Sequence, residues 1–349
     1  MPLLGVAMLA ATWGRDPATA VLVIVGLFLA GAVLAAVHHA EVVAHRVGEP
    51  FGSLVLAVAV TVIEVALIVT LMVSSDSGTE TLARDTVFAA VMISCNGILG
   101  LCLLVGTLRR GVAAFNAEGT ATAFATVLTL ATLSLVLPTF TTSRPGAEFS
   151  PSQLAFAAVA SAALYALFVV VQTVRHRDYF LPVEPGAADP DEHAAPPTSR
   201  AALAGLALLV VALVAVVGLA KVASPAIEDA VDAAGAPQSA VGVIIALLVL
   251  LPETLAAVRN ARRDRMQTSF NLALGSAMAS IGLTIPAIAI ASIWLDGPLE
   301  LGLGSTQIVL LVITAVVGAL TILPGRATLQ EGGVHLVLFG AFVFLALNP

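Results

Sequence analysis

The stretch VTVIEVALIVTLMV, residues 60–73, decides the fold. Thirteen of its fourteen residues are apolar or threonine, and the other is Glu64. A run this apolar, continued on both sides, is long enough for a helix to cross the hydrocarbon core of a bilayer. A carboxylate in its middle is costly, and no cation lies within a helical turn of it in sequence.

The whole chain has the same character. It has 349 residues, of which 59% are apolar and 11% charged, with a mean hydropathy of +1.04. A soluble domain carries roughly 25% charged residues. Low aromatic content and abundant Ala, Val and Leu suit closely packed helices. Runs of this length exclude a β-barrel, whose strands are about ten residues long and alternate. The composition therefore predicts an all-α polytopic membrane protein whose surroundings are the lipid bilayer. The net charge of −7 is spread over loops, so no basic face for nucleic acid is expected. Cys95 and Cys102 lie seven apart in one apolar run, too far along a helix to bridge, and read as packing residues.

Ten spans are expected, at about 18–40, 50–74, 84–108, 121–141, 152–174, 201–220, 238–260, 268–292, 303–323 and 331–348. Residues 1–17 hold an additional short apolar N-terminal helix, with its apolar run at 3–13. If the loop between the first two spans is cytoplasmic, eleven of the fifteen basic residues are cytoplasmic. Arg15, Arg84, Arg144 and Lys221 remain on the other face, with the acids Asp76, Glu80, Asp85, Glu148, Glu228, Asp229, Asp232, Asp296 and Glu300. This asymmetry sets a multi-pass inner-membrane orientation.

Residues 175–200, rich in Pro, Ala and acids, form a linker that is cytoplasmic in this layout and expected to be flexible. The linker divides ten spans into five (18–174) and five (201–349). An odd number per half means that the halves insert in opposite directions, as in many secondary transporters. Glu64 lies in the second span of the first half. Glu253, in IIALLVLLPETLAAVRN, lies in the second span of the other half. Inversion brings both to similar depth. The spans that follow carry small and polar residues: Ser94-Cys95-Asn96-Gly97, and Asn271, Gly275, Ser276, Ser280 and Thr284.

No Lys or Arg lies within the ten apolar cores as drawn, so the two glutamates must each hold a proton or share a bound cation. Burial and mutual repulsion disfavour two bare carboxylates, whereas a cation stabilises them. Protons and cations therefore compete for the same oxygens. Alternating access to such a site makes a cation/proton antiporter, a transporter and not an enzyme, with no resident cofactor. Two carboxylates match the charge of Ca²⁺ but supply at most four of the six to eight oxygens it takes. Further candidate ligands are Thr61, Asn96, Ser276, Ser280 and the carbonyl of Leu248, which Pro252 leaves without a helical donor. Na⁺ or K⁺ is the alternative cargo, and a passive cation channel a more distant reading. An intramembrane hydrolase would need a catalytic dyad or metal motif that the spans lack.

At the end of the first span, HHAEVVAHRVGEP (38–50) puts His38, Glu41 and His45 on one helical face. The spacing in HAEVVAH is six where HExxH needs histidines four apart, so this is not a zinc-protease motif. Interfacial polar residues are the plainer reading. Proton entry or pH sensing is the sharper one, since His titrates near neutrality.

GEPFGSLVLAVAVTVIEVALI (48–68), LPETLAAVRNARRDRMQTSFNLALGSAMASIGLTIP (251–286) and the HHAEVVAHRVGEP segment together resemble the cation/Ca²⁺ exchanger superfamily, in particular its bacterial ChaA-like calcium (sodium, potassium):proton antiporters. The resemblance implies ten core helices in two inverted repeats plus an N-terminal helix. It implies α-repeats at about 48–108 and 238–292, in which Glu64 and Glu253 carry both Ca²⁺ and protons. Many relatives have Gly-Asn-Ala shortly before the acid. Here the corresponding residues are Val60-Thr61-Val62 and Val249-Leu250-Leu251, which supply fewer oxygens.

Overall fold

The computed structural model describes all residues except 16, 49–50, 75–79, 182–196, 234, 236, 238, 295–296 and 349, and the side chains of 51–54, 74, 109, 228 and 232. Pro50, Asp76, Asp296 and most of the 175–200 linker thus lie outside the described residues.

The chain is an all-α polytopic membrane protein. A short helix, α1 (Pro2–Thr12), precedes α2 (Thr19–Val47) and α3 (Phe51–Ser74). The third span is α4 (Leu82–Met92), a π-helical turn at Ile93–Ile98, and α5 (Leu99–Arg110). The fourth is α6 (Ala117–Ala131), a second π turn at Thr132–Val136, and α7 (Leu137–Phe140). Then follow α8 (Pro151–Val170) with a π turn at Val171–Arg175, α9 (Ser199–Ala233), α10 (Ser239–Arg262), α11 (Met266–Ala291), α12 (Ser305–Ile322) and α13 (Leu329–Leu347). Among the described residues, ten helical segments are long and apolar enough to cross a membrane.

The largest departure from the sequence expectation is α9, which runs to Ala233 rather than stopping near 220. Lys221 and Pro225 end the hydropathic signal there, but the helix continues through both. A proline costs a helix one hydrogen bond and does not by itself stop it.

Two strands tie the loop ends together. β1 (Val112–Ala114) pairs antiparallel with β2 (Arg326–Thr328), Ala113 opposite Ala327. Asn116 caps α6 by accepting from Gly119 N at 2.9 Å, and Ser150 and Thr328 form capping boxes on α8 and α13.

Two apolar cores share the interior. One joins α2 and α9, with α1 across them and parts of α3 and α10 beneath. The other centres on α4, α5 and α11, wrapped by α6, α8, α12 and α13. The third span is the most enclosed. It touches α13 backbone to backbone: a Cβ on Gly100 would stand 3.1 Å from the carbonyl oxygen of Gly332. Small residues at such crossings are what allow van der Waals packing to hold helices together in lipid. Large apolar residues such as Leu27, Phe156, Val210, Val316 and Phe344 face outward, as lipid contact requires.

Candidate cation site

Four helices meet around a cavity of about 210 Å³. α3 contributes Thr61 and Glu64, and α10 contributes Leu250 and Glu253. α11 contributes Thr268, Asn271, Gly275, Ser276 and Ser280. α8 adds Tyr165, Phe168 and Gln172. Among the described residues no Lys or Arg lines it.

Glu64 is held on the α11 side. It is 4% exposed, and the Ser280 hydroxyl donates to its Oε1 at 2.6 Å. Thr284, one turn further along α11, faces the same carboxylate without reaching ordinary hydrogen-bond geometry. Glu253 is partly open to the cavity, but its Oε2 is shut off from solvent and has no partner. Ser94 Oγ, in the π turn of the third span, is a further buried oxygen without a partner. Buried polar groups are normally hydrogen-bonded, and exceptions ask for an explanation. Glu253 Oε2 belongs to the cavity and Thr284 faces Glu64, and among the described residues no Lys or Arg lines the cavity, so the donor set suits a cation or a proton. Among the described residues no three His, Cys, Asp or Glu side chains cluster. The oxygens available beyond the two carboxylates are therefore neutral.

The cavity has a direction. Its α3 residues follow Arg46, its α11 residues follow Arg265, Glu253 lies before Arg259, and Gln172 lies before Arg175. The lining thus runs from mid-helix, at Glu64, Leu250 and Ser280, towards the ends of these helices nearest the basic loops.

Of the residues singled out from sequence, the structure brings Glu64, Glu253, Thr61, Ser276 and Ser280 together. It does not bring Asn96 or Leu248 to the cavity. Asn96 Nδ2 donates to Thr314 Oγ1 at 2.9 Å, and His335 Nδ1 stands 3.1 Å from Asn96 Oδ1. His335 Nε2 stands 3.1 Å from Thr321 Oγ1. Asn96 thus belongs to a buried polar tie between the third span, α12 and α13. Leu248 packs in the α2–α9 core; its carbonyl still lacks a helical donor because Pro252 has no N–H. His38, Glu41 and His45 are exposed on α2, with His38 Nδ1 4.0 Å from Glu41 Oε2. The α8 wall, Tyr165 and Gln172, was not among the residues expected from sequence.

Comparison with known proteins agrees in family and fold. The pattern of the family described as "Sodium/calcium exchanger protein" matches residues 17–174 and 204–348. A putative ionic transporter, y4hA, of Sinorhizobium fredii is 47% identical over 92% of this chain and 87% of its own. The sodium-potassium/proton antiporter ChaA of Escherichia coli is 32% identical over 95% of this chain and 91% of its own. Among solved structures, native YfkE superimposes with a TM-score of 0.74 at 16% identity, covering 100% of this chain and 97% of that one. An H⁺/Ca²⁺ exchanger, CAX, superimposes with a TM-score of 0.67 at 15% identity, covering 99% and 90%.

Proposed function

The chain belongs to the sodium/calcium exchanger family, and from that premise we propose that it exchanges cytoplasmic Ca²⁺ for protons across the inner membrane. The observation that carries this reading is the state of the two glutamates. Glu64 is tied to a neutral hydroxyl, and Glu253 keeps an unpartnered buried oxygen in a cavity without Lys or Arg. Their charge is neutralised in turn by a cation and by protons. Two carboxylates match Ca²⁺, with Thr61, Ser276, Ser280 and water filling its remaining positions.

In this reading the basic loops and the 175–200 linker are cytoplasmic. The two five-helix segments, 18–174 and 201–349, are inverted repeats. The cavity reaches towards the basic side, so the conformation is the cytoplasm-facing one. Cation enters from that side and displaces protons from both glutamates. The α2–α9 pair then shifts against the rest of the bundle. The pair packs together along its length, and its core extends onto α3 and α10, the helices it slides against. Protons arriving from the opposite side release the cation there.

The decisive experiment is ΔpH-driven cation uptake into inverted vesicles. Glu64→Gln and Glu253→Gln should each abolish it. If both variants keep wild-type uptake of Ca²⁺ and Na⁺, the site assignment fails.

A second reading, Na⁺(K⁺)/H⁺ exchange on the same scaffold, is favoured by two observations. The relative at 32% identity is named for sodium, potassium and protons. Residues 249–251 beside Glu253 offer no side-chain oxygen, which leaves few ligands for a Ca²⁺ shell. Recovery of vesicle pH on adding each cation in turn separates the two. Cation flux with no proton signal at all would mean a passive channel.

A further inference from the structure

A second cavity, of about 440 Å³, lies at the end of the molecule away from the basic loops. Trp13, Arg15, Leu22, Lys221, Pro225 and Asp229 are among its walls, which come from the end of α1, the start of α2 and the last turns of α9. Its depth can be placed from helix geometry. Lys221 is 22 residues beyond Ser199, the first residue of α9 (221 − 199). At 1.5 Å per residue that is about 33 Å. The hydrocarbon core is about 30 Å thick. Lys221 therefore sits at the far membrane interface. Trp13, 55% exposed beside it, belongs to the same level.

The charges here are unusual for this end of the protein. Of its four basic residues, Arg84 pairs with Asp85 at 2.9 Å and Arg144 with Glu148 at 3.4 Å. Arg15 and Lys221 have no carboxylate partner among the described residues. Arg15 Nη1 donates only to the carbonyl of Ala11, and Lys221 Nζ lies 5.6 Å from the centroid of the Trp13 ring. Both open on one cavity. The same cavity holds two acceptors. One is the carboxylate of Asp229. The other is supplied by Lys221, a lining residue whose carbonyl has no helical donor because residue 225 is proline.

We propose that this cavity seats the headgroup of an aminophospholipid. Arg15 and Lys221 take the phosphodiester, a charge-assisted contact suited to both side chains. Asp229 and the freed carbonyl of Lys221 take the primary ammonium. The acyl chains run down the outward apolar face of α2, where Leu22 lines the cavity and Val23 and Leu27 are exposed. The seat lies on α9 and α2, the pair that packs as one unit, so the lipid bridges that unit and α1. The assignment is independent of which cation the protein carries.

Native mass spectrometry of the full chain with chain-matched lipids tests it. Wild type should retain phosphatidylethanolamine over phosphatidylcholine by roughly tenfold, since methylation removes the ammonium's hydrogen bonds. Asp229→Asn should erase that preference while binding of phosphatidylglycerol persists. Arg15→Gln combined with Lys221→Gln should lose all three lipids, whereas Lys221→Arg should retain them. Melting in lipid-free detergent reports whether each variant is folded. Equal retention of the ethanolamine and choline lipids by wild type overturns the proposal. So does displacement of the lipid by inorganic phosphate, which would mark a site for a soluble anion, and so does loss of binding in Lys221→Arg.

Discussion

The Ser280 hydroxyl on α11 donates to Glu64 Oε1 on α3 at 2.6 Å, joining residues 216 apart in sequence. It is the one hydrogen bond between side chains of the cavity that crosses between the two halves of the chain among the described residues. Removing it should therefore be felt in cation binding more than in folding. Ser280→Ala should raise the half-saturating cation concentration by on the order of tenfold, the weight of a hydrogen bond to a charged group. Ser280→Thr, which keeps a hydroxyl, should stay close to wild type. Vesicle uptake over a range of cation concentrations measures both.

Glu253 should behave differently in stability and in transport. Its Oε2 is buried without a partner, and leaving a buried polar group unsatisfied costs about 1–3 kcal/mol. Glu253→Gln replaces a carboxylate that can ionise with a neutral amide. We expect exchange to be abolished while the melting temperature is unchanged or higher. A large fall in melting temperature would make Glu253 a structural acid.

The glutamates could be found from sequence because a charge inside an apolar run is an anomaly at any orientation. Thr61, Ser276 and Ser280 followed, since Thr61 lies on Glu64's own helix and the two serines on α11, whose small polar residues mark an inward face. Asn96 did not follow. Its distance along the chain was suitable, but the π turn at Ile93–Ile98 changes the angle between successive side chains and directs Asn96 to α13. The α8 wall gave no signal, because Tyr165 within the span and Gln172 near its end are ordinary residues there until the cavity they face is known. The far end of α9 was missed for a third reason. Hydropathy reports where the bilayer stops, and the helix runs past it.

The tie between Asn96, Thr314, His335 and Thr321 makes a contrast that can be measured. All four residues are buried, and each deletion leaves a partner unsatisfied. Asn96→Ala and His335→Ala should each destabilise the protein by about 1–3 kcal/mol, read as a fall in melting temperature. The half-saturating cation concentration of the remaining folded protein should not change. A selective loss of cation affinity in Asn96→Ala, with stability intact, would return Asn96 to the transport site.

Gln172 tests which way the cavity faces. It lines the wall at the end nearest Arg175, and the two native cysteines, Cys95 and Cys102, are fully buried. A single Gln172→Cys substitution therefore introduces a thiol that is distinguishable from the native pair. With the basic loops cytoplasmic, a membrane-impermeant maleimide should label it in inverted vesicles and fail to do so from the opposite side. Saturating cation should slow the labelling, because closing the cavity around its cargo withdraws this wall from water. The Glu64→Gln background separates two causes of protection. If protection depends on cargo held by the glutamates, it disappears in that background; if the cation merely blocks the mouth, it persists. Labelling from the side away from the basic loops would reverse the assigned direction, since the lining runs from mid-helix residues such as Glu64 and Ser280 to Gln172 and Thr268 beside those loops.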